Sequence, residues 1–203
     1  MKLDYKDRYW RWAGFIDDLT VESVFATKGQ IQEEYKRRKH ELLKNISNDY
    51  NSVLLTDTQL VLENDMLVKV DRMSMCQSLE VRVPFLDHKI VDFAFSLPVH
   101  FKIDGNQRKK ILKDAFRDML PEELYERGKQ GFEVPLLKWF KTDLKTMIMD
   151  DLLKDEFIKE QGIFNLDGIK KLKSQLFSTN PNDVIAQVWA LIVFQYWWKK
   201  MYK

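Results

Sequence analysis

The sequence predicts a predominantly α-helical chain, and three observations carry that prediction. The 203 residues contain only seven glycines and five prolines, which is typical of long elements joined by few breaks. Apolar residues recur at three- and four-residue intervals, the spacing of a helix face, in several separate stretches. Residues 79–86 alone alternate with period two, and no second strong strand candidate is available to pair with them.

Helical spacing begins near the N-terminus. Apolar residues mark one helix over 5–15 and a second over 31–43, and weaker spacing continues over 53–61. Further along, Asp87 stands where an N-cap residue would stand, and the helix that follows it ends before Pro98. The first half of the chain is therefore expected to be helical, apart from the stretch just before Asp87.

The second half is also predicted to be helical. An apolar stripe over 111–119 stops before Pro121, and Pro121 and Pro135 each stand where a new helix can open. Residues 166–176 form another stripe. The tail over 184–196 is apolar on nearly all sides, which predicts a helix that is buried on every face.

The charge balance argues against a nucleic-acid-binding protein. The chain has 33 Lys and Arg against 31 Asp and Glu, a net charge of +2, whereas contact with phosphates needs a concentrated positive surface. The basic run 36–39 is flanked by Glu33, Glu34 and Glu41, so it is interpreted as a solvated helix face.

Other features argue against a membrane, metal-dependent or secreted protein. The longest apolar run, Val188 to Phe194, has 7 residues, whereas a bilayer-spanning helix needs about 20. Cys76 is the only cysteine, which excludes an intrachain disulfide and a cysteine zinc site. The three histidines lack metal-binding spacing, and the N-terminus lacks a signal-peptide pattern. The sequence thus predicts a cytoplasmic protein with no metal site and no membrane partner.

Charged residues inside apolar sequence mark the first informative stretch, 65–87. Burying a charge is costly unless it is paired, and five charges stand there among Met, Val and Leu: Lys69, Asp71, Arg72, Glu80 and Arg82. Glu80 and Arg82 fall on the same side of the alternating segment, which suits an ion pair. From these residues alone, a structural network is at least as well supported as an active-site role.

A glycine-flanked lysine marks the second stretch. Residues 127–132 read Arg-Gly-Lys-Gln-Gly-Phe, and two glycines around Lys129 let a ligand approach the backbone closely, as in loops that hold phosphate oxygens. More positive charge lies just upstream, at Arg108, Lys109, Lys110 and Lys113. The alternative is that the first glycine caps the preceding helix and Lys129 lies in solvent. The standard phosphate-loop, dinucleotide and hydrolase motifs are absent.

Four strings in these stretches are more specific than their chemistry: 69–75 (KVDRMSM), 79–88 (LEVRVPFLDH), 109–113 (KKILK) and 127–132 (RGKQGF). In this order and spacing they closely resemble the C-terminal part of the glutamine-hydrolysing asparagine synthetases. A looser resemblance extends over residues 5–12 and the final tryptophan-rich helix. The resemblance therefore covers most of the chain.

The resemblance implies an ATP-dependent ligase. In this family ATP, with Mg, activates the side-chain carboxylate of aspartate as β-aspartyl-AMP, and ammonia cut from glutamine in a separate N-terminal domain attacks that intermediate. By the resemblance, Lys129 contacts the phosphates, Lys109 assists it, and Asp65 orients the aspartate amino group or accepts a proton. The other charged residues are assigned mainly to a buried structural network: Asp71, Arg72, Glu80, Arg82 and Asp87.

The chain also departs from the family. No cysteine follows Met1, and neither a Ser-Gly-Gly-x-Asp-Ser loop nor a Ser-Gly-Glu-Gly string is present. The resemblance thus implies one helical domain over 1–203, the C-terminal portion of an α/β adenine-nucleotide α-hydrolase-like (PP-loop) synthetase domain. The glutaminase domain, the PP-loop half and most of the parallel sheet would be absent. Alone, the chain is expected to be inactive and to self-associate through exposed apolar surface.

Three functions stay open on the sequence. The chain is part of an asparagine synthetase, part of a related amidotransferase that acts on another carboxylate such as a sugar acid or a peptide, or a non-enzymatic helical module that binds a partner. The motifs do not separate the first two, because acceptor specificity depends largely on residues outside this chain.

Overall fold

Helices predominate in the computed structural model, which describes residues 3–27, 30–105, 107–126, 128, 131 and 134–202. The predicted predominantly helical class is confirmed. The chain divides into two compact units, unit 1 (Met1–Lys44 and Glu133–Lys203) and unit 2 (Asn45–Phe132). The single domain over 1–203 stays a prediction. None of the described helices is long and apolar enough to cross a bilayer.

The elements up to residue 102 are α1 (Tyr5–Gly14), α2 (Asp18–Val24), α3 (Gln30–Leu43), α4 (Tyr50–Asp57), the π-helical segment π1 (Thr58–Leu67), α5 (Val68–Met75), a 3-10 turn (Pro84–Leu86), α6 (His88–Ser96) and α7 (Val99–Lys102). After them come β1 (Ile103–Asp104), β2 (Gln107–Arg108), α8 (Lys110–Ala115), α9 (Glu123–Glu126), α10 (Leu136–Lys141), the π-helical segment π2 (Met147–Leu152), α11 (Asp155–Gln161), α12 (Leu166–Leu176) and α13 (Val184–Met201).

Short polar side chains begin many of these helices. An N-cap side chain satisfies a backbone N–H that has no partner within the helix, and four residues do this: Asp4, Asp17, Asp49 and Asn165. Asp87 does the same at α6, where its Oδ1 accepts from the Lys89 amide at 2.9 Å. Helix α6 ends before Pro98 and α10 begins directly after Pro135, as predicted.

The sequence analysis missed the β-hairpin. Strands β1 and β2 pair in antiparallel register, Ile103 with Arg108 and Asp104 with Gln107. Gly105 between them has a φ of 55°, a conformation that glycine adopts without steric cost. The two residues between the strands read Gly-Asn, which is a hairpin signal, but strands of two residues are too short for the period-two pattern to register. The alternating stretch 79–86 forms no strand and ends in the 3-10 turn.

Unit 1 contains a hydrophobic core between its C-terminal helices. Helix α12 packs on both α2 and α13, and α13 also contacts π2. The side chains that pack there with no exposed surface come from five elements and the residues beside them: Phe140, Ile148, Leu153, Ile158, Ile169, Leu176 and Val188. Truncating a buried leucine or isoleucine of this kind to alanine typically costs about 2–5 kcal/mol.

The final helix is not buried on every face, so that prediction is wrong. One face of α13 packs into the core through Val184, Val188, Leu191, Ile192 and Gln195. The other face is exposed, with Trp189 at 44%, Val193 at 50%, Tyr196 at 54% and Trp197 at 46%. Because apolar residues occupy both faces, the sequence does not distinguish the face that packs from the one that does not.

Unit 2 has little core of its own. Among its described residues only Ile46 and Thr56 are buried. Many of its large apolar side chains are instead exposed, among them Val70, Met73, Leu79, Phe85, Phe93 and Met119. We call the exposed apolar side chains of unit 2 over 66–124 its apolar surface. Such a surface is typical of a site that contacts another protein segment.

Candidate functional site

The predicted carboxylate Asp65 lies in a π-helical segment. Segment π1 joins α4 to α5 without a break, and π-helical turns are rare and frequently occur at functional sites. Asn64 supports this widened turn, because its side-chain amide donates to the carbonyls of Gln59 at 2.8 Å and Leu60 at 3.2 Å. The Asp65 side chain is exposed, and no ion pair within the described residues engages it. It is therefore open to a ligand.

The charged residues expected in a buried network are exposed in the structure. Glu80 and Arg82 form the ion pair that the alternating pattern predicts, but their side chains are 66% and 87% exposed. Asp87 caps α6, and within the described ranges no ion pair joins Asp71 or Arg72 to the others. The physical reason is that no described element of unit 2 covers these side chains and excludes water from them. Of the five residues, Glu80 and Arg82 form an ion pair and Asp87 forms a helix cap, and the buried network of all five stays a prediction.

Lys109 has a strained backbone. Its φ of 58° and ψ of 37° lie in the left-handed region, where a residue with a side chain costs about 1 kcal/mol or more. It directly precedes α8, and its carbonyl accepts from the Lys113 amide at 3.0 Å. Strain of this kind clusters at binding and catalytic sites, where the surrounding structure maintains it. No sequence signal predicts this conformation.

In the basic cluster around Lys109, two cations contact an oxygen acceptor and two have no ion pair among the described residues. Lys110 lies 3.3 Å from a carboxylate oxygen of Asp114, and Lys113 donates to a backbone carbonyl. Arg108 and Lys109 are partly or fully exposed and have no ion pair within the part of the chain that the structure describes. These two cations are accessible to an anionic ligand. The described residues contain no cluster of three or more acidic, His or Cys side chains that could hold a metal ion.

Lys129, the predicted phosphate contact, lies outside the described residues. The glycines on either side of it, Gly128 and Gly131, are described and exposed. A Cβ atom added at either would meet no atom of the described residues within 4 Å. This space is compatible with the close approach of a ligand.

A cleft of about 240 Å³ lies in unit 1 and includes none of the predicted site residues. Its lining is polar and carries both charge signs, with Arg11, Asp17, Lys171, Gln175 and Asp183 among the residues that form it. Arg11 stands between the two carboxylates, 3.7 Å from Asp17 and 3.5 Å from Asp183. The sequence analysis did not single out these residues, because they are spread over three distant segments.

Comparison with known proteins identifies similar sequences. A family model described as asparagine synthase matches residues 6–199. "Asparagine synthetase [glutamine-hydrolyzing] 1" of Bacillus subtilis is 29% identical over 153 residues, which are 74% of this chain and 23% of that protein. "Asparagine synthetase [glutamine-hydrolyzing]" of Gallus gallus is 30% identical over 149 residues, 69% of this chain and 24% of that protein.

A "putative asparagine synthetase [glutamine-hydrolyzing]" of Mycobacterium tuberculosis is 40% identical over 80 residues, 39% of this chain and 12% of that protein. The chain thus spans less than a quarter of the length of these relatives. No solved structure gives a significant match.

Proposed function

Because this chain belongs to the asparagine synthase family, we propose that it is one part of an ATP-dependent, glutamine-hydrolysing asparagine synthetase. In this proposal ATP supplies the activation of the aspartate side-chain carboxylate, and ammonia released from glutamine displaces the activating group. The observation that carries the proposal is Lys109, an exposed cation in a strained conformation inside a family string, with no ion-pair partner among the described residues.

Lys109 and Lys129 provide the positive charge of the proposed site. Negative charge grows on the pyrophosphate as it leaves, and a cation fixed in advance stabilises that charge in the transition state more than in the ground state. The left-handed backbone at Lys109 supports this role, because a side chain held by a strained but maintained backbone needs little reorganisation. Lys110 is not assigned to the phosphates, since it already lies beside Asp104 and Asp114.

Asp65 is the proposed contact for the amino group of aspartate. An exposed carboxylate with no cation beside it in the described residues can accept a hydrogen bond from an ammonium group. The π-helical turn around it supports a functional role, since an α-helical turn would be the ordinary solution for this sequence. Binding the ammonium in this way would leave the side-chain carboxylate of aspartate free to react.

The apolar surface of unit 2 is the proposed contact for the rest of the synthetase. The relatives have more than three times as many residues as this chain matches, so most of their structure has no counterpart here. Exposed side chains such as Met73, Phe85 and Phe93 lie close in sequence to the family strings. Covering them would remove apolar area from water, which stabilises the assembly by about 25 cal/mol per Å².

Pyrophosphate release tests the proposal. The full chain is mixed with the nucleotide-binding half of a relative, and aspartate-dependent release from ATP is measured. We expect release by the mixture but not by either part alone. Lys109→Ala in the mixture should lower the rate about 100-fold, the usual loss for a group that stabilises transition-state charge.

Lys89→Ala is the matched control, since Lys89 is an exposed lysine of the same unit outside the proposed phosphate contacts. Its rate should stay within about twofold of the unsubstituted mixture, as expected for a surface change. An equal loss of rate in Lys109→Ala and Lys89→Ala would contradict the role assigned to Lys109. Pyrophosphate release by this chain alone would contradict the division of the site between two parts.

A further inference from the structure

Lys102, at the end of α7, joins separate elements within unit 2. Its ammonium donates a hydrogen bond of 2.6 Å to the side-chain carbonyl of Asn51, a residue 51 positions earlier in the first turn of α4. The same ammonium lies over the ring of Phe95 in α6, 5.3 Å from its centroid. A cation over an aromatic ring at this distance is attracted to it. Lys102 therefore holds the end of α7 against both α4 and α6.

The Lys102 ammonium is partly removed from water, so it needs this acceptor. Partial burial lowers the pKa of Lys102 below its ordinary value of 10.5, and the charge of Asp49 acts in the opposite direction. Hydrogen bonds from a charged group contribute more than neutral ones, and a desolvated ammonium that loses its partner is strongly unfavourable. The hydrogen bond between Lys102 and Asn51 is therefore expected to be more persistent than one between fully exposed side chains.

The β-hairpin connects Lys102 with the cations of the proposed site. Lys102 directly precedes β1, whose first residue, Ile103, pairs with Arg108 at the end of β2. Lys109 follows Arg108 directly, so Lys102 and Lys109 lie at the neighbouring positions on either side of this pair. Helix α7 also packs against α8, which begins at Lys110. A contact that fixes Lys102 thus also limits where Arg108 and Lys109 can lie.

Asn51, at the other end of the hydrogen bond, belongs to the helical segment that carries Asp65. Helix α4 continues through π1 into α5 without a break, and Asp65 lies in π1. Asp49 caps the start of α4 by accepting from the Ser52 amide at 3.1 Å, which fixes the turn that contains Asn51. The hydrogen bond from Lys102 therefore connects the segment with the proposed aspartate contact to the segment with the proposed phosphate contacts.

We propose that Lys102 is a positioning residue, whose hydrogen bond to Asn51 fixes the start of α8 relative to the helical segment that carries Asp65. The catalytic part of this inference rests on the proposed function. In this role Lys102 does not touch a substrate. It keeps the cations Arg108 and Lys109 in place with respect to the proposed aspartate contact. Precise placement of such groups accounts for a large part of enzymatic rate enhancement.

Distances between two spin labels measure this placement in the full chain without any activity. Cys76 is exposed at the end of α5 and is the only cysteine in the sequence, so it takes the first label. Ala115→Cys adds the second label at an exposed position at the end of α8. Pulsed electron paramagnetic resonance, with the labelled chain diluted into unlabelled chain, then gives the distribution of distances within one molecule.

Lys102→Met is the sharpest variant, because it removes the donor and keeps most of the length of the side chain. Lys89→Met is the matched control, at an exposed lysine of the same unit. We expect the control to keep one main distance. Lys102→Met should raise the fraction of molecules outside that distance about tenfold, the equilibrium effect of one lost hydrogen bond from a charged group.

Two further variants separate the hydrogen bond from other effects of the substitution. Asn51→Leu removes the same bond from the acceptor side and should give the same distribution as Lys102→Met. It also decides the question if Lys102→Met does not fold. Lys102→Arg keeps a charged donor and should retain the main distance.

The activity of the mixture with the nucleotide-binding half of a relative tests the catalytic part. Lys102→Met should lower kcat by a factor similar to the change in the distance distribution, while the KM for aspartate stays unchanged. Lys102→Arg should restore most of kcat. Lys102→Met combined with Asn51→Leu should lower kcat no further than either change alone, because both remove one shared hydrogen bond.

A distance distribution of Lys102→Met equal to that of Lys89→Met would overturn the inference. A broader distribution with unchanged kcat would also overturn it, because the hydrogen bond would then be structural only. If the unsubstituted mixture forms no product at all, the proposed function fails, and the distance distributions alone decide whether Lys102 fixes α8 relative to α5.

Discussion

Gly168→Ala should destabilise unit 1 by a steric clash that no side-chain movement relieves. Gly168 lies in the first turn of α12, where this helix packs against α2. A Cβ atom at this position would lie 2.2 Å from the carbonyl oxygen of Ser23, 2.9 Å from its carbonyl carbon and 3.1 Å from the Cα of Val24. All three are backbone atoms, so the helices themselves must separate.

The size of the effect follows from two opposing terms. The shortest of these distances is about 1 Å below ordinary contact, and overpacking of this kind typically costs 1–3 kcal/mol or more. Alanine offsets about 1 kcal/mol of that through its better helix propensity. Because the 2.2 Å approach is to a backbone atom, the cost lies at the upper end of this range, and we expect a net loss of about 2 kcal/mol, which lowers the melting temperature by about 4–8 °C in a chain of this size.

Gly14→Ala is the matched control, because a Cβ atom there would meet only the Ile16 side chain, at an ordinary 3.7 Å. Thermal unfolding followed by circular dichroism compares the two variants with the unsubstituted chain. Gly14→Ala should leave the melting temperature unchanged or slightly raised. If Gly168→Ala is as stable as this control, the described packing of α12 on α2 is wrong.

Four further predictions test other parts of the structure. Partial burial raises the pKa of Asp18, but its hydrogen bonds from Tyr35 and Lys39 outweigh burial and hold that pKa below 3.8. The stability that Asp18 contributes is therefore present above pH 3.8 and lost as the pH falls through the lower pKa of the folded state. Asp18→Asn should flatten the acid side of a curve of unfolding free energy against pH. Burial is the strongest cause that raises the pKa of Tyr35, to about 12. The stability that Tyr35 contributes is therefore present below pH 10 and lost as the pH rises towards 12. Tyr35→Phe should remove this alkaline loss of stability when unfolding free energy is measured against pH. Gln161 and Gln195 exchange two amide hydrogen bonds, at 2.8 and 3.0 Å, and Gln195 has no exposed surface; Gln161→Leu should cost about 1–3 kcal/mol in urea unfolding, and Gln161→Leu with Gln195→Leu should cost less than the single change. Phe85→Ser should weaken the self-association of the chain in sedimentation, because this side chain is 63% exposed on the apolar surface of unit 2. An unchanged sedimentation profile would show that Phe85 does not take part in the contact between copies.

Local signals in the sequence predicted several helix boundaries well. Helix α6 begins after Asp87 and ends before Pro98, because an N-cap carboxylate and a proline act on the backbone within a few residues. The Glu80–Arg82 ion pair was also predicted from a local signal, because residues two positions apart in an alternating stretch place their side chains on the same side. Helix α2 was missed, because its seven residues are too few to give a clear apolar period.

Features that depend on distant residues could not be predicted. The exposed face of α13, with Trp189 and Tyr196, is decided by which side packs against α12 and not by composition. Lys109 has a left-handed backbone at the one position between β2 and α8, and lysine has no preference for that conformation. Tyr125 contacts Lys113, Phe116 and Arg117, which lie up to 12 positions away in the sequence, and such contacts leave no periodic pattern.

Amide formation is the most direct test of the central claim. The full chain is combined with the nucleotide-binding half of a relative, ATP, isotope-labelled ammonium and a panel of carboxylates that includes aspartate. The account predicts labelled asparagine from the combination, none from either part alone, and a large loss with Lys129→Ala. A labelled amide of a different carboxylate would contradict the assignment to an asparagine synthetase. No amide from a combination that is shown by sedimentation to assemble would contradict an enzymatic role for this chain.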